Sequence, residues 1–243
     1  MPLRQLIYQN NGKSEEPFFF EISNLPKLRT KPLTTLGQSR EKIRVGILSD
    51  FLQEPLIQAI NIAASTLNLA LEVYPFAIET IENSLLDKSH GIYKEKIDIL
   101  IVYPDYLKSI SLQSLANGEQ GWNTEGINKA FEKWANLLLH FRKYSQIPVI
   151  IHNAPDLTPV VQVKNLNEFN SLLGSKEFGN YYWIDLGAIS KTRQPWFDHR
   201  LLEVARFPFA LEHLNFYSGQ LAATIREILH KPIKIVVTDL DNT

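Results

Sequence analysis

The sequence predicts an α/β chain: a three-layer, flavodoxin-like sandwich in which a parallel sheet of about five strands lies between helices. Three observations predict it. Short apolar runs of strand type alternate with stretches whose apolar residues recur every three or four positions. Polar turns separate the two kinds of segment. Strands and helices in strict alternation pack as parallel strands joined by right-handed crossovers that cover both faces of the sheet.

Taken in order, residues 1–41 mix Phe18-Phe19-Phe20 with Pro, Lys and Thr and keep no helical period, so they read as an arm with room for one strand. Regularity begins at Lys42. Ile43 to Leu48 is the first strand, and Pro55 to Leu69 carries Leu56, Ile57, Ile60, Ala63, Ala64 and Leu67 at helical spacing. Leu71 to Phe76 and a helical Ile78 to Leu86 repeat the unit, followed by the strand Ile97 to Tyr103 and a long loop. Glu125 to Tyr144 is then a helix that Thr124 can cap, with Ile127, Phe131, Trp134, Leu138 and Phe141 in one apolar stripe. Val149 to His152 is the fourth strand. A short helix near Leu166 to Leu173 is expected to end at Gly174, a residue that tolerates a left-handed cap. Tyr181 to Leu186 is the fifth strand, and Leu211 to His230 the last helix. The α/β domain is thus placed at 42–231. Ile233 to Val237 forms one more strand-like run, and the chain ends at Thr243 with no helix to cover it, so 232–243 is read as the first strand of a further domain that has been cut.

Composition removes several classes of function. At 44% hydrophobic and 21% charged, the 243 residues are globular rather than disordered or fibrous, enough for one large domain or two small ones. Lys and Arg number 25 against 26 Asp and Glu, a net charge of −1, so neither nucleic acid nor an anionic membrane is an expected partner. The absence of cysteine excludes disulfides, a thiolate nucleophile, a thioester carrier and thiolate-ligated zinc in this chain, and a reducing compartment fits best. Met1 to Ile7 runs into polar Gln9 to Glu16 and lacks the apolar core of a secretory signal, which points to the cytoplasm. The most apolar stretch, Ala59 to Ala70, is broken by Asn61, Ser65 and Asn68, far short of the ~20 apolar residues a membrane span needs. No Gly-x-Gly-x-x-Gly, Walker loop or His-Glu-x-x-His occurs, so dinucleotide, nucleotide and zincin chemistry find no support.

The most specific motif is Asp239-Leu240-Asp241-Asn242-Thr243, directly after Ile235-Val236-Val237. It resembles the first motif, DxDxT, of haloacid-dehalogenase (HAD) phosphatases and phosphotransferases. The resemblance implies that Asp239 attacks phosphorus, that Asp241 acts as general acid and base, and that both help to hold Mg²⁺. A carboxylate at a strand's carboxyl end does lie where α/β sheets bind ligands, and oxygen ligands suit a hard cation. The plainer alternative is a polar turn, where Asp and Asn are common. The remaining HAD residues would lie beyond Thr243, so the fragment alone is expected to need no cofactor and to lack a complete HAD site.

Upstream, Leu48-Ser49-Asp50-Phe51 with Pro55-Leu56, Leu86-Asp87 through Gly91-Ile92-Tyr93 to Ile97-Asp98-Ile99-Leu100, and Trp196-Phe197-Asp198-His199-Arg200-Leu201 with Arg206-Phe207-Pro208-Phe209 occur in that order before the terminal motif. Together they resemble the N-terminal half of FkbH-like proteins, a HAD subgroup of polyketide-type biosynthesis, over about 40–243. The resemblance implies an SGNH-hydrolase-like domain fused to a HAD domain that dephosphorylates a glyceryl phosphate donor and loads glyceryl onto an acyl carrier protein.

Such hydrolases carry a nucleophilic serine after the first strand, Gly and Asn oxyanion donors, and a late Asp-x-x-His pair. Ser49 occupies the serine's place. Its context, Leu-Ser-Asp-Phe, departs from Gly-Asp-Ser-Leu, and Tyr103-Pro104-Asp105-Tyr106 stands where the family has Gly-x-Asn-Asp. Asp198 and His199 are adjacent rather than two apart, and His213 follows Glu212. Ser49 and Asp50 therefore read more readily as a helix N-cap and strand-end turn than as a nucleophile's site. Ser49, Asp50, Tyr103, Asp105, His152, Asn153 and Asp185 all fall at strand ends, on one rim of the sheet where a pocket belongs; Ser49 is the candidate nucleophile, and Asp50, Asp105, His152, Asn153 and Asp185, with Asp198 and His199, are the candidate substrate-binding residues. Three functions compete: a non-catalytic SGNH-like domain serving a HAD partner, an esterase or acyltransferase using Ser49, and a plain α/β domain that binds a small molecule at the sheet edge.

Overall fold

The computed structural model describes residues 42–76, 81–106, 124–155, 163–175, 180–198, 200–201, 207 and 209–229. The arm 1–41, the terminal strand and motif of 232–243, Trp122 and His199 lie outside them.

Five strands form one all-parallel sheet: β1 (Ile43–Ser49), β2 (Leu71–Pro75), β3 (Ile99–Tyr103), β4 (Val149–His152) and β5 (Tyr181–Ile184). Their order is β2-β1-β3-β4-β5. The connections from β1 therefore run outward to β2 and then back past β1 to β3, which makes the β1/β3 crevice the switch point of the sheet. Register there sets Ser49 opposite Tyr103.

The helices are α1 (Glu54–Thr66), α2 (Ile81–Leu86), α3 (Gly91–Lys94), α4 (Thr124–Tyr144), α5 (Val163–Ser175), α6 (Leu186–Thr192) and α7 (Leu211–Leu229). Period-two alternation divides the core between two faces. Ile99, Ile101 and Tyr103 of β3 pack with Leu56 and Ile60 of α1 and with Leu214, Tyr217, Leu221 and Ile225 of α7. Leu100 and Val102 pack with Leu85 of α2, Ile127, Trp134, Leu138 and Phe141 of α4, and Leu166, Phe169 and Leu173 of α5. All five residues of β3 are buried, as a central strand covered on both faces requires. Gly46 permits this packing within β1: a Cβ there would meet Cε2 of Phe76 at 2.7 Å.

Several boundaries differ from expectation for local reasons. The strand expected from Ile97 begins at Ile99, because Asp98 turns its carboxylate onto Arg44. Helix α1 ends at Thr66 because Asn68 takes a left-handed φ of 60°, with Leu69 N–H returning to the Ala64 carbonyl. Helix α5 continues through Gly174 to Ser175, so Gly174 is not its cap. Thr124 lies inside α4 rather than before it, and the strand expected to reach Leu186 stops at Ile184, where α6 takes over. Among the described residues no helix is long and apolar enough to cross a membrane.

Candidate functional site at the carboxyl edge of the sheet

The strand ends converge as the topology demands, and what they bring together is mostly aromatic. At the end of β1, Ser49 is fully buried and its hydroxyl donates to the Phe51 carbonyl at 3.3 Å. Phe51 stands edge-on to Tyr103 with ring centres 4.9 Å apart, and to Phe207 at 5.5 Å. The serine thus lies in a turn closed by a phenylalanine. The cap of α1 is Gln53, which makes no side-chain capping bond; its amide instead donates to the Phe76 carbonyl at 3.0 Å, leaving Oε1 buried without a partner. Neither Ser49 nor Asp50 caps that helix, and Asp50 accepts from the Ile81 N–H at the start of α2 at 3.4 Å.

β3 ends at Tyr103, and exposed Asp105 and buried Tyr106 follow it. Tyr103 sits between Phe51, Tyr217 at 5.5 Å, Phe209 at 6.1 Å and His152 at 3.9 Å. Tyr106 stands edge-on to the same imidazole, ring centres 5.8 Å apart, and against Trp134 and Phe169. Neither phenol hydroxyl has a hydrogen-bond partner, and burial pushes both well above the usual tyrosine pKa.

His152, the last residue of β4, is 1% exposed. Its Nδ1 lies 2.7 Å from the Asn153 carbonyl. A carbonyl only accepts, so Nδ1 carries the proton and Nε2 is left as a lone-pair acceptor, itself unpartnered. Burial lowers the imidazole from 6.5 to about 4, the carbonyl contact working weakly the other way, so the ring is neutral at pH 7.

Asn153 and Asp185 form a clamp instead of a binding pair. Asn153 Nδ2 donates to Asp185 Oδ1 at 2.9 Å and its Oδ1 accepts from Gly187 N–H at 2.8 Å, while Asp185 caps α6 through the Ala188 N–H at 3.0 Å. Asn170 of α5 completes it with two bonds to the Ala154 backbone, 2.8 Å each. Gly187 is required here, since a Cβ would meet Asn170 Nδ2 at 2.7 Å.

Asp198 accepts from the Arg200 and Leu201 N–H groups at 2.9 and 3.3 Å, a local turn. His213 stacks flat on Trp196, ring centres 5.1 Å apart, and its Nε2 lies 3.0 Å from the Pro195 carbonyl and 3.5 Å from Glu212. Among the described residues neither His152 nor His213 is hydrogen-bonded to Ser49, and no group of three His, Asp or Glu side chains could hold a metal. The rim residues named from sequence do share one edge. Phe51, Tyr106, Phe209 and Tyr217, which make it an aromatic enclosure, were not among them; the one local signal is Tyr106, three residues after Tyr103.

The class these features define is a three-layer α/β sandwich of flavodoxin-like strand order, with its candidate site at the carboxyl edge. Among solved structures it is similar to the N-terminal part of BF1531 from Bacteroides fragilis, a protein containing a phosphatase domain and complexed with Mg, at 18% identity and a TM-score of 0.69, over 86% of this chain and 57% of that one. At the level of fold, that likeness is the one expected from the resemblance to FkbH-like proteins. Weaker likenesses are to BT4096, a gut microbial diltiazem-metabolizing enzyme (12% identity, TM-score 0.42, 65% of this chain and 40% of that one), and to the salicylyl-acyltransferase SsfX3 of a tetracycline biosynthetic pathway (12%, 0.43, 79% and 57%). No protein-family model and no curated protein matches the chain.

Proposed function

We propose that this chain is the N-terminal, SGNH-hydrolase-like domain of an FkbH-like protein, and that it serves as a non-catalytic scaffold for HAD chemistry that begins at Asp239. The observation that carries the scaffold role is Ser49: its hydroxyl is spent on the Phe51 carbonyl beneath a closed aromatic edge, with no described imidazole hydrogen-bonded to it. A serine nucleophile needs a base within hydrogen-bond reach to remove its proton.

The HAD half rests on Asp239-Leu240-Asp241-Asn242-Thr243 and on the fold shared with a structure described as containing a phosphatase domain with Mg. In that role Asp239 is the phosphoryl acceptor and Asp241 the general acid and base, and their carboxylates are a fitting oxygen donor pair for Mg²⁺. The cation would supply charge neutralisation of the phosphoryl group. The donor would be a glyceryl phosphate, the recipient an acyl carrier protein, and the compartment the cytoplasm.

The test is hydrolysis of short p-nitrophenyl esters by the 243-residue chain beside Ser49→Ala. Equal, background rates are expected. Turnover that disappears in Ser49→Ala would overturn the scaffold role and install the esterase or acyltransferase alternative, for which the position of Ser49 beside the β1/β3 switch point speaks. For the HAD half, a form extending beyond Thr243 should release phosphate from glyceryl phosphates only with Mg²⁺, and Asp239→Asn should abolish it.

A further inference from the structure

Helices α1 and α7 pack along each other on one face of the sheet and run the same way. α1 leaves the carboxyl end of β1 and delivers the chain to β2, while α7 touches the carboxyl edge through Tyr217, 5.5 Å from Tyr103, and further along meets Ala63 and Ala64 of α1 through Ala222. α1 ends at Thr66; Leu67, Leu69 and Leu71, which carry the chain round into β2, pack against that alanine cluster and stay partly exposed. α7 does not stop level with it. Leu229 is seven residues beyond Ala222, on the same helical face and about 10 Å further along the axis, so the last turn of α7 overhangs the leucine turn. Leu229 is 41% exposed there, and Ile228 is partly buried. Leu67, Leu69, Leu71, Ile228 and Leu229 thus make one apolar corner that is partly open to solvent.

We propose that this corner is the seat of the domain that opens at Ile233, an intramolecular docking surface; the proposal rests on reading 232–243 as the start of a HAD domain. Chain length decides between occupants. Four steps lead from Leu229 to Ile233, at most ~14 Å even fully extended, so that domain begins beside the corner whichever way it turns. Ile233 to Val237, apolar except for Lys234, has the pattern of a strand covered on both faces and belongs inside its own sheet, so the outer surface of that domain meets the leucines. A domain on so short a tether is present at an effective concentration on the order of millimolar, and a small apolar patch then suffices where a free partner would need a full-sized interface. The carboxyl edge stays outside the contact, because Tyr217, which touches it, lies about 18 Å back along α7 from Leu229.

Amide hydrogen exchange, read by mass spectrometry, tests this by comparing the 243-residue chain with a form extending beyond Thr243. The N–H groups of Leu67, Asn68 and Leu69 are already bonded to the Ala64 and Ser65 carbonyls, so they exchange only when the turn opens. A seated domain should slow them, and those of the last turn of α7, by about tenfold or more while residues 103–106 keep their rates. Leu229→Lys, a change at an exposed helix end, should take back most of that slowing. No slowing at the corner, slowing confined to 103–106, or slowing that Leu229→Lys leaves intact overturns the proposal. So does slowing that fades on dilution, because the occupant is then a second copy of the chain. Phosphate release with Mg²⁺ by the same extended form reads the HAD assignment separately: slowing without release keeps the docking and removes the chemistry, and release without slowing does the reverse.

Discussion

The two ends of the sheet are built on opposite principles. At the amino end the polar groups are largely matched, with Arg142 Nε the exception: Arg44 meets Asp98 through its backbone N–H and two guanidinium nitrogens at 2.8 to 3.2 Å. Arg142 donates to the carbonyls of Ser145, Ile147 and Asn180, which lead into β4 and β5, and the Tyr181 hydroxyl donates to the Leu138 carbonyl. At the carboxyl end burial is deeper and pairing poorer, with two phenols, an imidazole nitrogen and a glutamine oxygen unmatched. Connections at the amino end only have to turn the chain. The carboxyl end is where parallel sheets place their sites, and unmatched polar groups kept dry by aromatic rings are what a binding edge retains and a turn does not.

Phe51→Ala should sharpen the contrast most. It removes a 4%-exposed ring that closes the carboxyl end over Ser49, and such truncations cost about 3–5 kcal/mol. Urea unfolding of the variant checks this, and a loss below about 1 kcal/mol would mean that packing does not close this edge. Acid should act next. His152 binds a proton at about 4 in the fold and near 6.5 when unfolded, so the unfolded chain takes up protons first and stability falls as pH drops through that window, by about 3 kcal/mol in all. Unfolding curves between pH 7 and 4 should flatten in His152→Phe. A wild-type curve as flat as the variant's would break the assignment of a buried neutral imidazole.

Legibility from sequence follows the same division. The strands are readable because apolar residues dominate each, interrupted only by Arg44 in β1 and Glu72 in β2, and β4 falls on Val149–His152 as its pattern predicts. The apolar stripe of α4 was readable because 21 residues give its period room to repeat; only Phe131 proves partly buried rather than core. Helix α6 has 7 residues, too few for a period to declare itself, and the sequence assigns it no element beyond carrying the preceding strand on to Leu186. At the site, sequence located the strand-end residues but not their partners. Phe51, Tyr106, Phe209 and Tyr217 meet only through register and crossover, and nothing local shows that Ser49 turns toward its own loop or that Asn153 is used up by Asp185 and Gly187.

Asn153→Ala tests that clamp, a well-matched polar unit of the carboxyl end. It leaves the Gly187 N–H without its acceptor and removes a bond to Asp185, a cost of about 2 kcal/mol in denaturant unfolding; a neutral result would show that α6 is held by its apolar contacts alone.

The smallest effect belongs to the best-formed ion pair. Arg44 and Asp98 are 24% and 37% exposed, so water screens them, and Asp98→Asn should cost no more than about 1 kcal/mol despite the three hydrogen bonds. The pH sign separates it from His152. Hydrogen bonds from Arg44 hold Asp98 below its ordinary 3.8, so its contribution is complete above that value and is lost as pH falls through the lower folded one, beneath the histidine window. Added salt should shrink the difference between wild type and Asp98→Asn but leave the acid sensitivity due to His152 in place, because a buried imidazole responds to desolvation rather than to a screened charge. If salt instead removed the acid sensitivity and spared the Asp98 effect, the contrast between a solvated amino end and a dry carboxyl end would be reversed.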